Sequence, residues 1–386
     1  MKKTFPILLL IILFSFNTKL FSQNEDYLKE VSFNFTYGVP VIEVNINGEN
    51  YNFLFDTGMP ATISENLNKK LKLSSTRNSI GSDVNGNKNN ENYTILENIK
   101  IADINFNNTE VLVANLKSSF EIKCLQLDGV FGNNLMKNLI WEINYDTKKI
   151  RFTNNIEKLN ISNNITKLNF KTKKGYYTPK VSVKINGKIR ENLMFDTGSS
   201  AGINRPIEEH SHKKFKNSIE YYGSSKVALY GRAKKSKSII SKIDNIEIGS
   251  SKIKNQLVLF NKTTPLIGNK FLSNFKIIID YNNNAIYLAQ NENSNNIIIE
   301  NFGFFANVID DKMIVTTIFK NSIASQKINI GDEIISINST PIPAILEGEN
   351  PCGFLKKIFK DNDTNKFKIK HGKKILELNF IKKTLI

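Results

Sequence analysis

Residues 39–67 read VPVIEVNINGENYNFLFDTGMPATISENL, and residues 178–207 read TPKVSVKINGKIRENLMFDTGSSAGINRPI. Each stretch has a proline, then apolar residues at alternate positions, then Asn-Gly, then a second apolar run ending in Phe-Asp-Thr-Gly. The alternating residues are Ile42, Val44 and Ile46 in the first copy and Val181, Val183 and Ile185 in the second. A period of two places these side chains on one face of a strand, and Asn-Gly supplies the left-handed backbone of a two-residue hairpin turn. Both copies are therefore expected as hairpins whose second strand delivers an acid, Asp56 or Asp196, into a tight glycine turn.

The copies match again downstream. DGVFGNNLMKNLIWEINYDTKKIRF starts at Asp128 and TPLIGNKFLSNFKIIIDYNNNAIYL starts at Thr264. In both, two apolar residues precede a glycine (Gly132, Gly268), and the same interval leads on to a tyrosine (Tyr145, Tyr281) and then an isoleucine (Ile150, Ile286). An internal repeat sets the architecture. It predicts two β-rich units of equivalent topology, residues 33–153 and 175–290, joined by a Lys- and Asn-rich linker at 154–174.

Taken singly, an Asp-Thr-Gly triplet is explained by an Asp that caps its own turn. Two copies, each at the end of an apolar strand and each followed by an apolar-apolar-Gly segment, resemble the pepsin and retropepsin superfamily. The resemblance covers about residues 35–290. It implies an all-β, bilobal fold and an aspartic endopeptidase in which Asp56 and Asp196 activate a water on polypeptide substrate, with no cofactor and no metal. It further implies that Thr57 and Thr197 cross-link the two turns, and that Gly58 and Gly198 let backbone amides approach the carboxylates. Phe55 and Phe195 would shield the pair from below. Ser199 would hydrogen-bond the outer oxygen of Asp196, whereas Met59 offers Asp56 no hydroxyl. A flap is implied too, with Asn85-Gly86-Asn87 and Tyr230-Gly231 as candidate tips. Peptide hydrolysis wants two acids because one carboxyl must act as base while the other holds a proton, and two carboxyls brought together do not both ionise readily. The alternative is a non-catalytic peptide-binding or scaffold protein built on the same folds.

Composition narrows the other classes. A chain of 386 residues with 40% hydrophobic residues suffices for more than one core. Lys2 and Lys3 followed by the apolar run Ile7–Phe16 read as a signal peptide over residues 1–22, so export to a periplasmic or extracellular compartment is expected, with a membrane anchor if the segment stays uncleaved. The formal charge of +17 falls to +14 without Lys2, Lys3 and Lys19. The lysines are scattered, with no aromatic-interleaved patch, and nucleic-acid binding is not expected. Cys124 and Cys352 are the two cysteines and stand in separate expected domains, which argues against a disulfide framework. His210 and His212 lack a third partner for zinc, and His371 stands alone.

After the polar stretch Asn291–Asn296 the pattern changes. Phe302-Gly303-Phe304, the run Met313–Phe319 and IGDEIISINSTPI from Ile330 follow in an order that resembles a PDZ domain of the bacterial protease type, over residues 297–386. The resemblance implies that the amides of Phe302, Gly303 and Phe304 bind a peptide C-terminus and that the next strand pairs with it. Phe354, Leu355, Ile358 and Phe359 recur at helical spacing and predict a helix beside that groove.

Overall fold

The computed structural model of the chain describes residues 25–161, 165–173, 176–211, 217–224, 226–291 and 299–386. The expected signal segment, residues 1–22, lies outside them, as does His212. Strands dominate the described residues, and the longest helix there is Pro351–Asp361.

Both hairpins form where the alternation places them. Strand Val41–Ile46 pairs antiparallel with Glu49–Asp56, and Tyr176–Ile185 with Lys188–Phe195. The turns are Asn47-Gly48 (φ 53° and 86°) and Asn186-Gly187 (φ 47° and 74°), the positive values that Asn and Gly tolerate at least cost. The second copy has one more residue between turn and acid. It is absorbed by a bulge, where the register shifts between Val181 and Val183 and Asn192 takes φ 59°. Without that bulge the extra residue would turn Phe195 to the opposite face; with it, Phe55 and Phe195 are both fully buried.

The strand that follows each acid is arranged in the same way. Glu49–Asp56 runs parallel to Gly129–Gly132, which pairs antiparallel with Thr62–Ser64, itself parallel to Ile104–Ala114. In the second unit Phe195 sits opposite Ile267, Ile267 opposite Ile203, and Ile203 opposite Val258, with the same directions. The two units share a sheet beneath the acids, because Ile140–Asn144 pairs antiparallel with Phe275–Asp280. One hydrophobic core runs through both, with Phe55, Phe131, Trp141, Phe195, Phe271 and Ile277 among its fully buried members. Part of the expected linker is strand: Thr166–Asn169 pairs with Ala285–Gln290 at the edge of the shared sheet, and Lys171–Lys173 pairs with Tyr176–Ile185.

The C-terminal residues form a separate core around Phe304, Val315, Phe367, Leu355 and Ile358. Strands Phe304–Ile309 and Lys312–Phe319 pair antiparallel, and Glu333–Ile337, Thr364–His371 and Lys374–Ile381 extend the sheet. Helix Pro351–Asp361 forms where the spacing predicts it: Pro351 opens it, the Asn350 side chain caps it by accepting from the Gly353 amide at 2.9 Å, and Leu355 and Ile358 face the core. Phe354 remains 42% exposed.

One expectation is overturned. Cys124 and Cys352 are bonded to each other, 228 positions apart in the chain. Their sequence distance suggested separate surroundings, but the first unit and the C-terminal module pack together there. Phe120, on the short helix Phe120–Lys123, lies against the module's core, and the Lys356 ammonium donates to the Thr36 carbonyl at 2.6 Å. The module also joins the second unit, since Ser218–Gly223 pairs antiparallel with Lys312–Phe319.

Candidate active site

Asp56 and Asp196 end their strands side by side, each 6% exposed, and their carboxyls hydrogen-bond each other. The approach is close: a β-carbon built on Gly58 would lie 2.9 Å from the Asp196 Cγ, and one on Gly198 would lie 2.0 Å from the Asp56 Oδ2. Glycine is required at both positions because any side chain would occupy the place of the opposite carboxyl. The freed amides turn inward, Gly58 N–H donating to Asp56 Oδ1 at 2.6 Å and Gly198 N–H to Asp196 Oδ1 at 3.0 Å.

The threonines lock the two turns. Thr57 Oγ1 donates to the Phe195 carbonyl at 2.5 Å and accepts from the Thr197 amide at 3.1 Å. Thr197 Oγ1 donates to the Phe55 carbonyl at 2.8 Å and accepts from the Thr57 amide at 3.1 Å. Both side chains are fully buried. Four backbone groups with no ladder partner are thus satisfied by two hydroxyls, each serving the opposite unit.

Ser199 acts differently from the expectation. Its hydroxyl accepts from the Ala201 amide at 3.3 Å, and its backbone amide donates to the Asp196 main-chain carbonyl at 3.4 Å. The Met59 amide lies close enough to Asp56 to favour its ionised form, as the Ser199 amide does for Asp196. A main-chain amide needs no side-chain hydroxyl to act in this way, so the Met59/Ser199 difference in sequence does not by itself distinguish the two carboxyls.

Two residues the sequence reading passed over belong here. Asn133 Nδ2 donates to the Thr57 carbonyl at 3.4 Å and to Thr178 Oγ1 at 2.9 Å, and Thr178 Oγ1 donates to the Gly58 carbonyl at 3.1 Å. Asn269 Nδ2 donates to the Thr197 carbonyl at 2.6 Å, and its Oδ1 accepts from the Tyr145 hydroxyl of the other unit at 2.7 Å. The signal was present, because an Asn follows the repeated glycine in both copies. Asn269→Ala is expected to strand the Thr197 carbonyl and the Tyr145 hydroxyl in a buried site, each costing about 1–3 kcal/mol. The check is a lower urea midpoint at unchanged slope.

Burial dominates the electrostatics. It pushes Asp56 up to about 6, against the amides of Gly58, Met59 and Gly198, which favour its ionised form. Burial raises Asp196 as well, and the neighbouring Asp56 charge adds to it. Both carboxyls are held above the ordinary range, so the pair keeps one proton between them over a span of pH and the titration belongs to the pair. One base and one acid held in contact can take a proton from a nucleophile and give another to a leaving group.

Residues 42–135 match a family described as Aspartyl protease. The matched aspartyl-protease segment contains Asp56, Thr57, Gly58, Gly132 and Asn133, and it ends before Asp196. No curated protein matches the chain.

A hairpin of the first unit reaches across to the second. Strands Arg77–Ser82 and Lys88–Ile101 pair, and their tip is organised by Asp83, whose Oδ1 accepts from the amides of Asn85 (2.9 Å) and Asn87 (3.0 Å). Asp83 Oδ2 also accepts from the Tyr230 amide at 3.0 Å, Asn85 Nδ2 donates to the Gly231 carbonyl at 3.1 Å, and the Tyr230 hydroxyl donates to Glu91 at 2.5 Å. The two candidate tips read from the sequence thus meet each other. On the far side, Arg232 pairs with Glu121 at 3.1 Å.

The three C-terminal loop residues are placed in a module core. Phe302 and Phe304 bury their rings against Phe367, and the Gly303 amide donates to Asn301 Oδ1 at 2.8 Å. That amide is not open to an incoming carboxylate.

Proposed function

We propose that the chain is an aspartic endopeptidase acting on extended polypeptide in an extracytoplasmic compartment, with Asp56 and Asp196 as its catalytic pair. The observation that carries this reading is the contact of two buried carboxyls, one from each repeat, braced by crossed threonine hydroxyls. The aspartyl-protease match over the first repeat supports it. A protein that only bound peptide would have no use for two buried acids that repel on ionisation.

In the proposed reaction ionised Asp56 takes a proton from water, the resulting hydroxide bonds to the peptide carbonyl carbon, and Asp196 protonates the carbonyl oxygen. Asp56 then passes its proton to the amide nitrogen, the C–N bond breaks, and Asp196 recovers a proton from the diol. Thr57, Thr197, Asn133 and Asn269 hold the turns in register, and the hairpin tip at 83–87 must lift to admit a chain. The C-terminal module is proposed as PDZ-like and the N-terminal segment as the export signal.

The reading is tested by a peptide-library digest of residues 23–386 across acidic to neutral pH. The rate should rise with pH as Asp56 ionises near 6 and fall again as Asp196 loses its proton. A profile flat between pH 4 and 8 would remove the acid/base pair from the mechanism.

A further inference from the structure

Strand Phe304–Ile309 pairs with Lys312–Phe319 on one side, and among the described residues its other edge carries no strand. The segment Ser119–Cys124 of the first unit straddles that edge. Phe120 packs against the module's core, on the side where Phe304 and Val308 point; Glu121 accepts from Asn307 Nδ2 at 2.6 Å, on the opposite face; and Cys124 is bonded to Cys352 in the helix Pro351–Asp361. The same Glu121 pairs with Arg232, whose carbonyl accepts from Asn87 in the hairpin tip at 3.3 Å. One carboxylate therefore joins the first unit, the second unit's loop and the module.

We propose that the docking edge of the C-terminal module is filled by the chain's own segment Ser119–Cys124, and that the Cys124–Cys352 bond is the lock that a dithiol reductant opens. Both cysteines are only half-buried, so the bond can be reached. A thiolate of the dithiol attacks one sulfur, giving a mixed disulfide and releasing the other cysteine as thiolate. The second thiol then resolves the mixed disulfide, so two electrons and two protons pass to Cys124 and Cys352 and the dithiol leaves as a cyclic disulfide. With the lock open, what joins the segment to the module among the described residues is the packing of Phe120 and the Glu121–Asn307 hydrogen bond, which is partly solvated and exchanges readily with water. The edge of Phe304–Ile309 is uncovered for a pairing strand. The hairpin tip loses its support through Arg232 at the same time.

The role of the lock in governing substrate access rests on the peptidase reading, but the test does not. Hydrogen exchange by mass spectrometry is measured on the full chain, oxidised and after dithiothreitol, and on a Cys124→Ser/Cys352→Ser variant that mimics the open state without reductant. Exchange at 304–309 and at 83–87 is expected to rise at least tenfold on reduction and to be equally fast in the variant. Unchanged exchange at 304–309 in the reduced chain would overturn the proposal, and a rise there without one at 83–87 would overturn the link to the hairpin. Exchange is read without turnover, so an inactive protein leaves this result intact.

Discussion

Replacing Asp196 with Asn is expected to abolish hydrolysis and at the same time to stabilise the folded chain at pH 7. The catalytic loss should be about 10⁴-fold in kcat, because the change removes the proton that the carbonyl oxygen requires and the base that takes one back from the diol. The gain in stability has its origin in burial. Folded Asp56 and Asp196 hold their protons more tightly than the unfolded chain does, so stability is full below the ordinary carboxylate value of 3.8 and is lost as pH rises through about 6 for Asp56 and through the raised value of Asp196. For Asp56 alone the loss is on the order of 3 kcal/mol at neutral pH. An Asn at 196 is neutral in the folded and the unfolded chain alike and can still donate to Asp56, so folding at pH 7 no longer has to hold that proton. Melting temperature followed against pH should show the variant above the wild type at pH 7, with the curves converging below pH 4. A variant that kept near wild-type turnover, or that melted lower at pH 7, would contradict the paired-acid assignment.

Thr197→Val is the largest structural perturbation expected from a near-isosteric change. Valine keeps the volume and branching of threonine but can neither donate to the Phe55 carbonyl nor accept from the Thr57 amide. Both groups are sealed in a core where Thr57 and Thr197 are fully buried. Each stranded group costs about 1–3 kcal/mol, giving roughly 2–6 kcal/mol in all. The turn carrying Asp56 loses its brace to the other unit, and a shift of an ångström between the acids is enough to lower kcat about a hundredfold. Thr57→Val should behave alike, since its hydroxyl serves Phe195 and Thr197 in the mirror arrangement. The double variant should cost less than the sum, because the two hydroxyls share one network. Denaturant titration and steady-state kinetics on the three variants measure both effects; a loss under 1 kcal/mol for either single variant would mean that the braces are not structural.

Elements whose information is local were legible along the chain. Alternating apolar residues around Asn-Gly defined both hairpins, the repeated Phe-Asp-Thr-Gly placed an acid at the end of each, and the recurrence of Leu355 and Ile358 defined a helix. A period of two or 3.6 fixes which face of an element is buried without reference to anything distant. Even the bulge at Asn192 could have been read, since the second copy is one residue longer between turn and acid. Only the tertiary structure decided what crosses between elements: Asn133 with Thr178, Tyr145 with Asn269, Asp83 with Tyr230, Glu121 with both Arg232 and Asn307, and Cys124 with Cys352. These partners stand many residues apart and obey no periodicity. Their pairing depends on how two units and a module pack, and a buried amide, hydroxyl or thiol takes whichever partner that packing brings within reach.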